Sequence, residues 1–310
     1  KGDGRSTVKE GTAVQPAPTF TDVAENAWYA PAVSYVTAEG IMNGTGKTTF
    51  GPTGTVTRGM VYQTLYNMAG KPAVTEAATF TDVSGKWYAD AAAWAEDEGL
   101  TTGVSKGVFG GERSMTRQEL AKVFADYAAL NRILPAESAD LRAYSDADAV
   151  AAWAKDGVED AVALGILSGS KGKLNATGTA QRAELAQILK SFDALEPTYT
   201  ETVVSIPVKA QDGIPAHDIP ATVTMPTAAS KDAKVPGVVM LHGTGSNREE
   251  AGNGYAMAAP VMATQGIATI RIDFMGNGES KADYVNYNNT SAVIDAKAAA
   301  DYLAGLETVD

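Results

Sequence analysis

Two kinds of hydrophobic pattern divide the chain. Up to about residue 195, apolar residues recur every three or four positions, as they do on one face of an amphipathic helix. The clearest stripe consists of Leu120, Val123, Phe124 and Tyr127, and similar stripes precede and follow it. After residue 198, alternating and continuous apolar runs rich in β-branched residues take over, which is typical of strands. The pattern therefore predicts a helical part followed by a part that contains a sheet.

The helical part is built from three similar segments of about 50 residues. Each segment has an aspartate after an aromatic residue, then a tryptophan, two glycines four positions apart, and an arginine at the start of a second apolar stripe. These landmarks are Asp22, Trp28, Gly40, Gly44 and Arg58; Asp82, Trp87, Gly99, Gly103 and Arg117; and Asp146, Trp153, Gly165, Gly169 and Arg182. Each segment predicts a helix, a glycine-rich loop and a second helix. Two such helices cannot bury their own stripes, so we expect the three units to pack around a shared axis.

Local signals refine the middle unit. The spacing of Trp87, Ala91 and Trp94 predicts one apolar face on a first helix over 87–99. Thr116 and Glu119 form a capping-box pattern at the start of the second helix, and the full pattern is missing from the first and third units.

The predicted domain organisation follows these changes of pattern. We expect a flexible lead over residues 1–18, repeats over 19–70, 79–130 and 143–195, and an incomplete α/β domain over 198–310. In the last part, the predicted strands cover 202–208, 221–225, 236–241 and 267–274, and the predicted helices cover 255–265 and 291–305. Strand, helix, strand and helix in this order are typical of an α/β layer fold.

Composition excludes several functions. The sequence has no cysteine, which excludes disulfides, thiolate metal sites and a cysteine nucleophile, and only two histidines, His217 and His242. Its formal charge of −12 argues against a nucleic-acid-binding face. No apolar run is long enough to span a membrane. We expect neither a metal nor a cofactor.

The repeated arginine is the most informative position. Arg58, Arg117 and Arg182 fall in the first turn of a helix, where the helix dipole disfavours a cation. Free helix N–H groups and a guanidinium would together bind a carboxylate or phosphate. The alternative is a salt bridge to the repeated aspartates. The tryptophans could likewise be core residues or ligand platforms, and the glycines helix caps or pocket walls. The threefold coincidence of all these residues favours a pocket.

These units resemble S-layer homology domains, with openings such as Phe80-Thr-Asp-Val and a Thr-Arg-x-Glu closing at Thr116–Glu119. The resemblance covers about 175 residues. It implies an all-α, pseudo-threefold bundle whose grooves bind a pyruvylated secondary cell-wall polymer, placing a secreted protein on a Gram-positive-type envelope. It further implies that the three arginines contact the ketal carboxylate, while the aspartates, tryptophans and paired glycines shape the grooves. Gly59-Met60 and Ala180-Gln181 depart from the motif, so the groove of Arg117 is expected to bind most strongly.

The second part carries a possible catalytic motif. The predicted strand over 236–241 ends in His242-Gly243-Thr244, a turn that can present backbone N–H groups to a reacting carbonyl as an oxyanion hole does. Together with Gly276-Asn277-Gly278, it resembles the N-terminal half of an α/β-hydrolase of the esterase or dienelactone-hydrolase-like branch. The resemblance implies that Thr244 donates the oxyanion N–H and that His242 is structural. A dinucleotide site is disfavoured, because Arg248 stands where a third glycine is needed.

No Gly-x-Ser-x-Gly motif occurs in the sequence. The hydrolase resemblance implies a nucleophile and triad after the helix that ends near Leu306, so we expect this chain to lack both and a longer parent protein to supply them. The expected function is non-covalent surface anchoring that tethers a serine-esterase-type hydrolase. The alternative is a structural S-layer lattice protein with a non-catalytic α/β remnant.

Overall fold

The computed structural model of the chain describes residues 19–310, so the lead expected over 1–18 lies outside the described residues. The described chain divides into two compact units. The first comprises residues 19–131 and 137–195, and the second comprises 132–136 and 196–310. None of the described helices is both long enough and apolar enough to cross a membrane.

The first unit contains the predicted pairs of helices, one pair in each repeat. Its α-helices are α1 (Ala30–Ala38), α2 (Arg58–Met68), α3 (Ala89–Asp97), α4 (Arg117–Leu130), α5 (Lys155–Ala163) and α6 (Arg182–Asp193). Short 3-10 helices at Leu141–Ala143, Ala147–Ala149 and Ala152–Ala154 precede α5. Isolated antiparallel β-bridges link Thr55 to Gln181, Thr57 to Ser114 and Thr116 to Thr179. Each repeat is therefore bridged to both of the others, which the helical pattern did not predict.

The predicted capping box opens α4. Thr116 Oγ1 accepts the N–H of Glu119 at 3.4 Å, and the Glu119 carboxylate accepts the N–H of Thr116 at 2.7 Å. In the third repeat Glu184 accepts the N–H of Gln181 at 2.8 Å. The expectation that this repeat lacks the box is therefore wrong, because Gln181 takes the place of the threonine at the cap of α6.

The apolar stripes form the core of the first unit. Leu120, Phe124 and Tyr127 of α4 are buried, as predicted. Tyr127 stacks on Phe192 of α6 with ring centroids 5.0 Å apart. The face predicted on the first helix of the middle unit needs one correction. Trp94 is buried in α3, but Trp87 precedes this helix and is exposed, because α3 begins only at Ala89.

The second unit is a mixed four-stranded sheet with helices. Its elements are β1 (Tyr199–Val208), β2 (His217–Pro226), β3 (Gly237–Met240), α7 (Gly254–Thr264), β4 (Ala268–Ile272) and α8 (Asn289–Ala304). The strand order is β1-β2-β4-β3, in which only β3 and β4 are parallel. All six elements lie where the sequence predicts them, although β1 and β2 begin earlier than expected. Ile219 and Ile270 of the sheet share an apolar core with Ala299 and Leu303 of α8.

Candidate functional site

The repeated arginines join the repeats in a ring. Arg58 of the first repeat donates from Nη2 to Thr101 Oγ1 of the second at 2.5 Å. Arg117 of the second repeat donates to the carbonyl oxygens of two residues of the third, and Arg182 of the third donates to those of two residues of the first. All three arginines are at least nine-tenths buried. Each one therefore fastens its own helix to the loop of the following repeat.

The helix N–H groups beside these arginines are already bonded. The N–H of Arg58 donates to Arg113 O at 2.9 Å, and that of Gly59 donates to Gly111 O at 2.7 Å. The equivalent donors of α4 and α6 bond to carbonyls of the next repeat in the same way. The expectation of free helix N–H groups at an anion site is therefore wrong, because the chain entering each helix pairs with its neighbour. Only the guanidinium remains to bind a ligand.

The repeated aspartates close the loops of their own repeats. Each carboxylate accepts two consecutive backbone N–H groups at 2.8 Å. The pairs are Asp22 with Phe50 and Gly51, Asp82 with Phe109 and Gly110, and Asp146 with Leu174 and Asn175. Burial raises the pKa of Asp82, but the backbone hydrogen bonds outweigh it and leave this pKa below its usual value. The same bonds dominate at Asp146, where they also lower the pKa.

The repeated tryptophans are surface residues. Trp28, Trp87 and Trp153 are 62%, 59% and 57% exposed, whereas Trp94, which is not part of the repeat, is 4% exposed. Trp28 packs edge-on against Tyr29 with ring centroids 5.3 Å apart, which fixes the indole while leaving much of its surface open. The three repeated tryptophans are therefore not core residues. Their exposed indoles can stack on sugars or other flat groups.

The paired glycines serve two local purposes. The first of each pair follows a helix end with a positive φ, as Gly99 does after α3 at 73°. The second lies against the aromatic residue that opens its repeat: a Cβ on Gly103 would lie 2.9 Å from Phe80 Cε1 and 2.4 Å from Val108 O. The equivalent residues are Gly40 and Gly165 for the first role, and Gly44 and Gly169 for the second.

Two grooves of the first unit each combine residues of all three repeats. The Arg117 groove, of about 740 Å³, is lined by Arg117, by residues of the third repeat between Ile166 and Asn175, and by Trp28. The Arg58 groove, of about 700 Å³, is lined by Arg58, residues 99–104 of the second repeat, and Trp153. The arginine, the loop and the tryptophan of each groove come from three different repeats. The sequence shows which repeat each residue belongs to, but it could not indicate this combination.

In the second unit, His242 joins the ends of two strands. It is buried after β3; its Nδ1 lies 2.7 Å from Gly243 O, and its Nε2 accepts the N–H of Phe274 at 3.1 Å. Because Nε2 accepts a backbone N–H, the proton sits on Nδ1 and the ring is neutral. The Gly243 N–H donates to Glu250 at 2.8 Å, and Thr244 is exposed in the following turn.

Two buried polar pairs of this unit were not anticipated. The backbone N–H of Arg248 donates to Asp273 Oδ1 at 2.7 Å, and its guanidinium also bonds the Asp273 carboxylate. His217 Nε2 lies 2.7 Å from Asp295 Oδ1. The partners are 25 and 78 residues apart in the chain, so no local signal could have paired them. Between residues 19 and 310, no cluster of three or more His, Cys, Asp or Glu side chains could hold a metal ion.

Comparisons with known proteins agree with the repeat structure. The family model of the S-layer homology domain matches residues 19–59, 79–121 and 143–186. An endoglucanase of Bacillus sp. (strain KSM-635) is 29% identical over 154 residues, 49% of this chain and 16% of that protein. An amylopullulanase of Thermoanaerobacterium thermosulfurigenes is 29% identical over 173 residues, 55% of this chain and 9% of that protein. The surface-layer 125 kDa protein of Lysinibacillus sphaericus is 33% identical over 147 residues, 46% of this chain and 12% of that protein. The chain thus spans less than a fifth of each relative's length.

Solved structures resemble a part of the chain more weakly. Ferulic acid-bound Est1E of Butyrivibrio proteoclasticus is 24% identical with a TM-score of 0.29, covering 34% of this chain and 39% of that one. Acetyl xylan esterase 1 of Thermoanaerobacterium sp. JW/SL YS485 is 15% identical with a TM-score of 0.24, covering 36% and 42%. Both TM-scores lie below 0.5, so neither likeness supports an activity. The three matched stretches, in contrast, show that this chain contains three S-layer homology domains.

Proposed function

We propose that the chain is a non-covalent anchor that binds a pyruvylated secondary cell-wall polymer and holds its C-terminal part at the surface of a Gram-positive-type cell. The three domains, over 19–70, 79–130 and 143–195, would act as one pseudo-threefold binding unit. The observation that carries the proposal is the combination of a buried arginine and an exposed tryptophan in one groove. Relatives named as two polysaccharide-degrading enzymes and one surface-layer protein support a shared anchoring role.

The groove chemistry suits an acidic polysaccharide. A planar guanidinium binds a carboxylate by parallel hydrogen bonds, and an exposed indole offers an apolar face to a sugar ring. Volumes near 700 Å³ lie within the usual range for small-ligand sites and would hold a short oligosaccharide. Because each groove is formed between repeats, binding would depend on the whole triplet rather than on one domain.

We further propose that residues 198–310 belong to a tethered hydrolase of the serine-esterase type. The supporting observation is the turn His242-Gly243-Thr244 at the carboxyl end of β3, beside the parallel strand β4. Active sites of α/β folds lie at this end of parallel strands, and the Thr244 N–H would serve as an oxyanion donor there. The nucleophile and triad would come from further residues of the parent protein. A structural lattice protein, in which this part is not catalytic, is the competing proposal.

Retention on cell walls tests the anchoring. The full chain should sediment with purified walls that carry the pyruvylated polymer, and not with the same walls after mild acid has removed the ketals. The Arg142→Ala variant, which changes an exposed arginine outside the described grooves, is the matched control and should bind normally. Equal retention on both preparations would contradict ketal recognition, and retention on neither would contradict anchoring.

The hydrolase proposal needs a separate test. The parent protein should carry a Gly-x-Ser-x-Gly motif within about 20 residues after Asp310, and should cleave a chromogenic ester. Loss of this activity on changing the motif serine would confirm the assignment. A parent protein without the motif, forming ordered two-dimensional arrays, would favour the lattice protein instead.

A further inference from the structure

The arginine of the Arg117 groove already has a carboxylate partner. Its Nη1 donates to Glu184 Oε1 at 2.5 Å, its Nε to Leu174 O at 2.9 Å, and its Nη2 to Ser168 O at 2.8 Å. All three nitrogens of the guanidinium thus have acceptors, and Glu184 compensates its charge. A ligand carboxylate at this groove would therefore meet a guanidinium whose charge is already compensated.

The arginine of the Arg58 groove is held differently. Its Nη2 donates to the hydroxyl groups of Thr101 and Tyr62, at 2.5 and 3.3 Å, and its guanidinium carbon lies 4.7 Å from the centre of the Tyr62 ring. Its Nε is buried and, within the described part of the chain, has no hydrogen-bond acceptor. Arg58 itself is 8% exposed and lines the groove. The side chains that bond this guanidinium are hydroxyl groups and no carboxylate. A ligand carboxylate at the exposed part of the guanidinium would compensate its charge.

The other charged side chains that line the Arg58 groove are paired with each other. Arg113 contacts Glu119 at 2.6 Å, and Lys122 contacts Asp126 at 2.8 Å. Glu119 stands two residues after Arg117, as Glu184 stands two residues after Arg182, so the two glutamates are equivalent. Each glutamate accepts the N–H of the residue that caps its helix through one oxygen, but the other oxygen of Glu119 pairs with Arg113 of its own repeat. Arg58 therefore lacks a carboxylate partner equivalent to the one that Glu184 provides for Arg117.

Resting on the anchoring function proposed above, we infer that the Arg58 groove is the principal site for the ligand carboxylate and that Glu184 closes the Arg117 groove. Binding at Arg58 adds a charged hydrogen bond without breaking one. Binding at Arg117 either displaces Glu184 or places a second carboxylate beside it, so little is gained. This order reverses the one expected from the Thr-Arg-x-Glu motif. The glutamate that completes the motif in the third repeat is the residue that neutralises Arg117.

Binding of full-chain variants to walls with the pyruvylated polymer tests the order of the grooves. Arg58→Gln should raise the chain concentration needed for half-saturation of the walls by about tenfold or more. Arg117→Gln should raise it by about threefold or less. Glu184→Gln should not weaken binding. In the Arg58→Gln background, Glu184→Gln should restore part of the loss, because it frees the Arg117 guanidinium. Circular dichroism and thermal unfolding would confirm that each variant is folded. If Arg58→Gln does not fold, Arg58→Lys, which keeps the charge but not the planar guanidinium, replaces it in the same comparison.

The outcomes separate the inference from the anchoring function. Equal losses for Arg58→Gln and Arg117→Gln, or a larger loss for Arg117→Gln, would overturn the inference while anchoring stands. A failure of Glu184→Gln to rescue the Arg58 variant would overturn the closing role of Glu184. Wild-type chain that binds neither pyruvylated nor acid-treated walls would overturn the anchoring function and the inference with it.

Discussion

At the scale of single residues, the repeated aspartates show how one carboxylate can organise a loop. Six backbone N–H groups donate to three carboxylates, all at 2.8 Å. Hydrogen bonds to the ionised form stabilise it, and the pKa values of Asp22, Asp82 and Asp146 are all lowered. The sequence singled out these residues by their repetition, and the structure shows that each of them closes the loop of its own repeat.

Because of Asp82, the free energy of unfolding of the first unit should decrease as the pH falls. Its pKa is lower in the folded state, so its contribution is present above the unfolded pKa near 4 and is lost as pH falls through the folded value. Asp82→Asn should cost on the order of 1 kcal/mol at neutral pH and flatten the decline below about pH 4. Denaturant unfolding followed by tryptophan fluorescence measures this, since all four tryptophans lie in the first unit. Exposed Glu25→Gln is the control, and an identical pH profile for wild type and Asp82→Asn would contradict the prediction.

At the scale of elements, the loop between the helices of each repeat depends on close approach of the chain to itself. Gly103 and Gly107 lie in the same loop and both have positive φ, 87° and 71°. A Cβ would meet Val108 O at Gly103, whereas at Gly107 it would meet no atom within 4 Å. Spacing revealed the glycine pairs, but only the packed loop distinguishes a glycine required for its φ from one required for space.

This difference predicts unequal costs for two substitutions. Gly107→Ala should lower the free energy of unfolding by about 1 kcal/mol, the cost of a positive φ alone. Gly103→Ala should cost about 1–3 kcal/mol more, because the added methyl group also overlaps the backbone. The same fluorescence-detected unfolding compares the two variants directly. Equal costs would show that the loop moves aside and that the close approach is not important for stability.

At the scale of the whole molecule, β3 is an edge strand whose outer side is barely covered. Among the described residues, the backbone pairing on this outer side is one parallel bridge, between Val235 and Val309, and it lies just before β3 begins. Val238 and Leu241 are partly exposed at and after this strand. An open, apolar edge can pair with a second copy of the chain, so we expect the 310-residue chain to self-associate.

Val238→Lys should reduce this self-association, because a charged side chain on an edge strand opposes pairing between sheets. Val293→Lys is the matched control: it adds the same charge at an exposed valine on helix α8, outside the sheet. Sedimentation velocity over a range of concentrations would measure both. A wild-type chain that remains monomeric, or an equal effect of the two substitutions, would show that the β3 edge is not the contact.

Local patterns were sufficient to predict the helix pairs, the four strands and the importance of the arginine that begins each second helix, because helix and strand periods depend on neighbouring residues. Interactions between distant residues required the folded chain. Arg117 and Glu184 are 67 positions apart, and Arg58 and Thr101 are 43 apart. The sequence by itself determined three similar units, each with an arginine at the start of its second helix. Only the tertiary structure decided which of these arginines has a carboxylate partner, because whether a buried charge is paired depends on distances in space rather than along the chain.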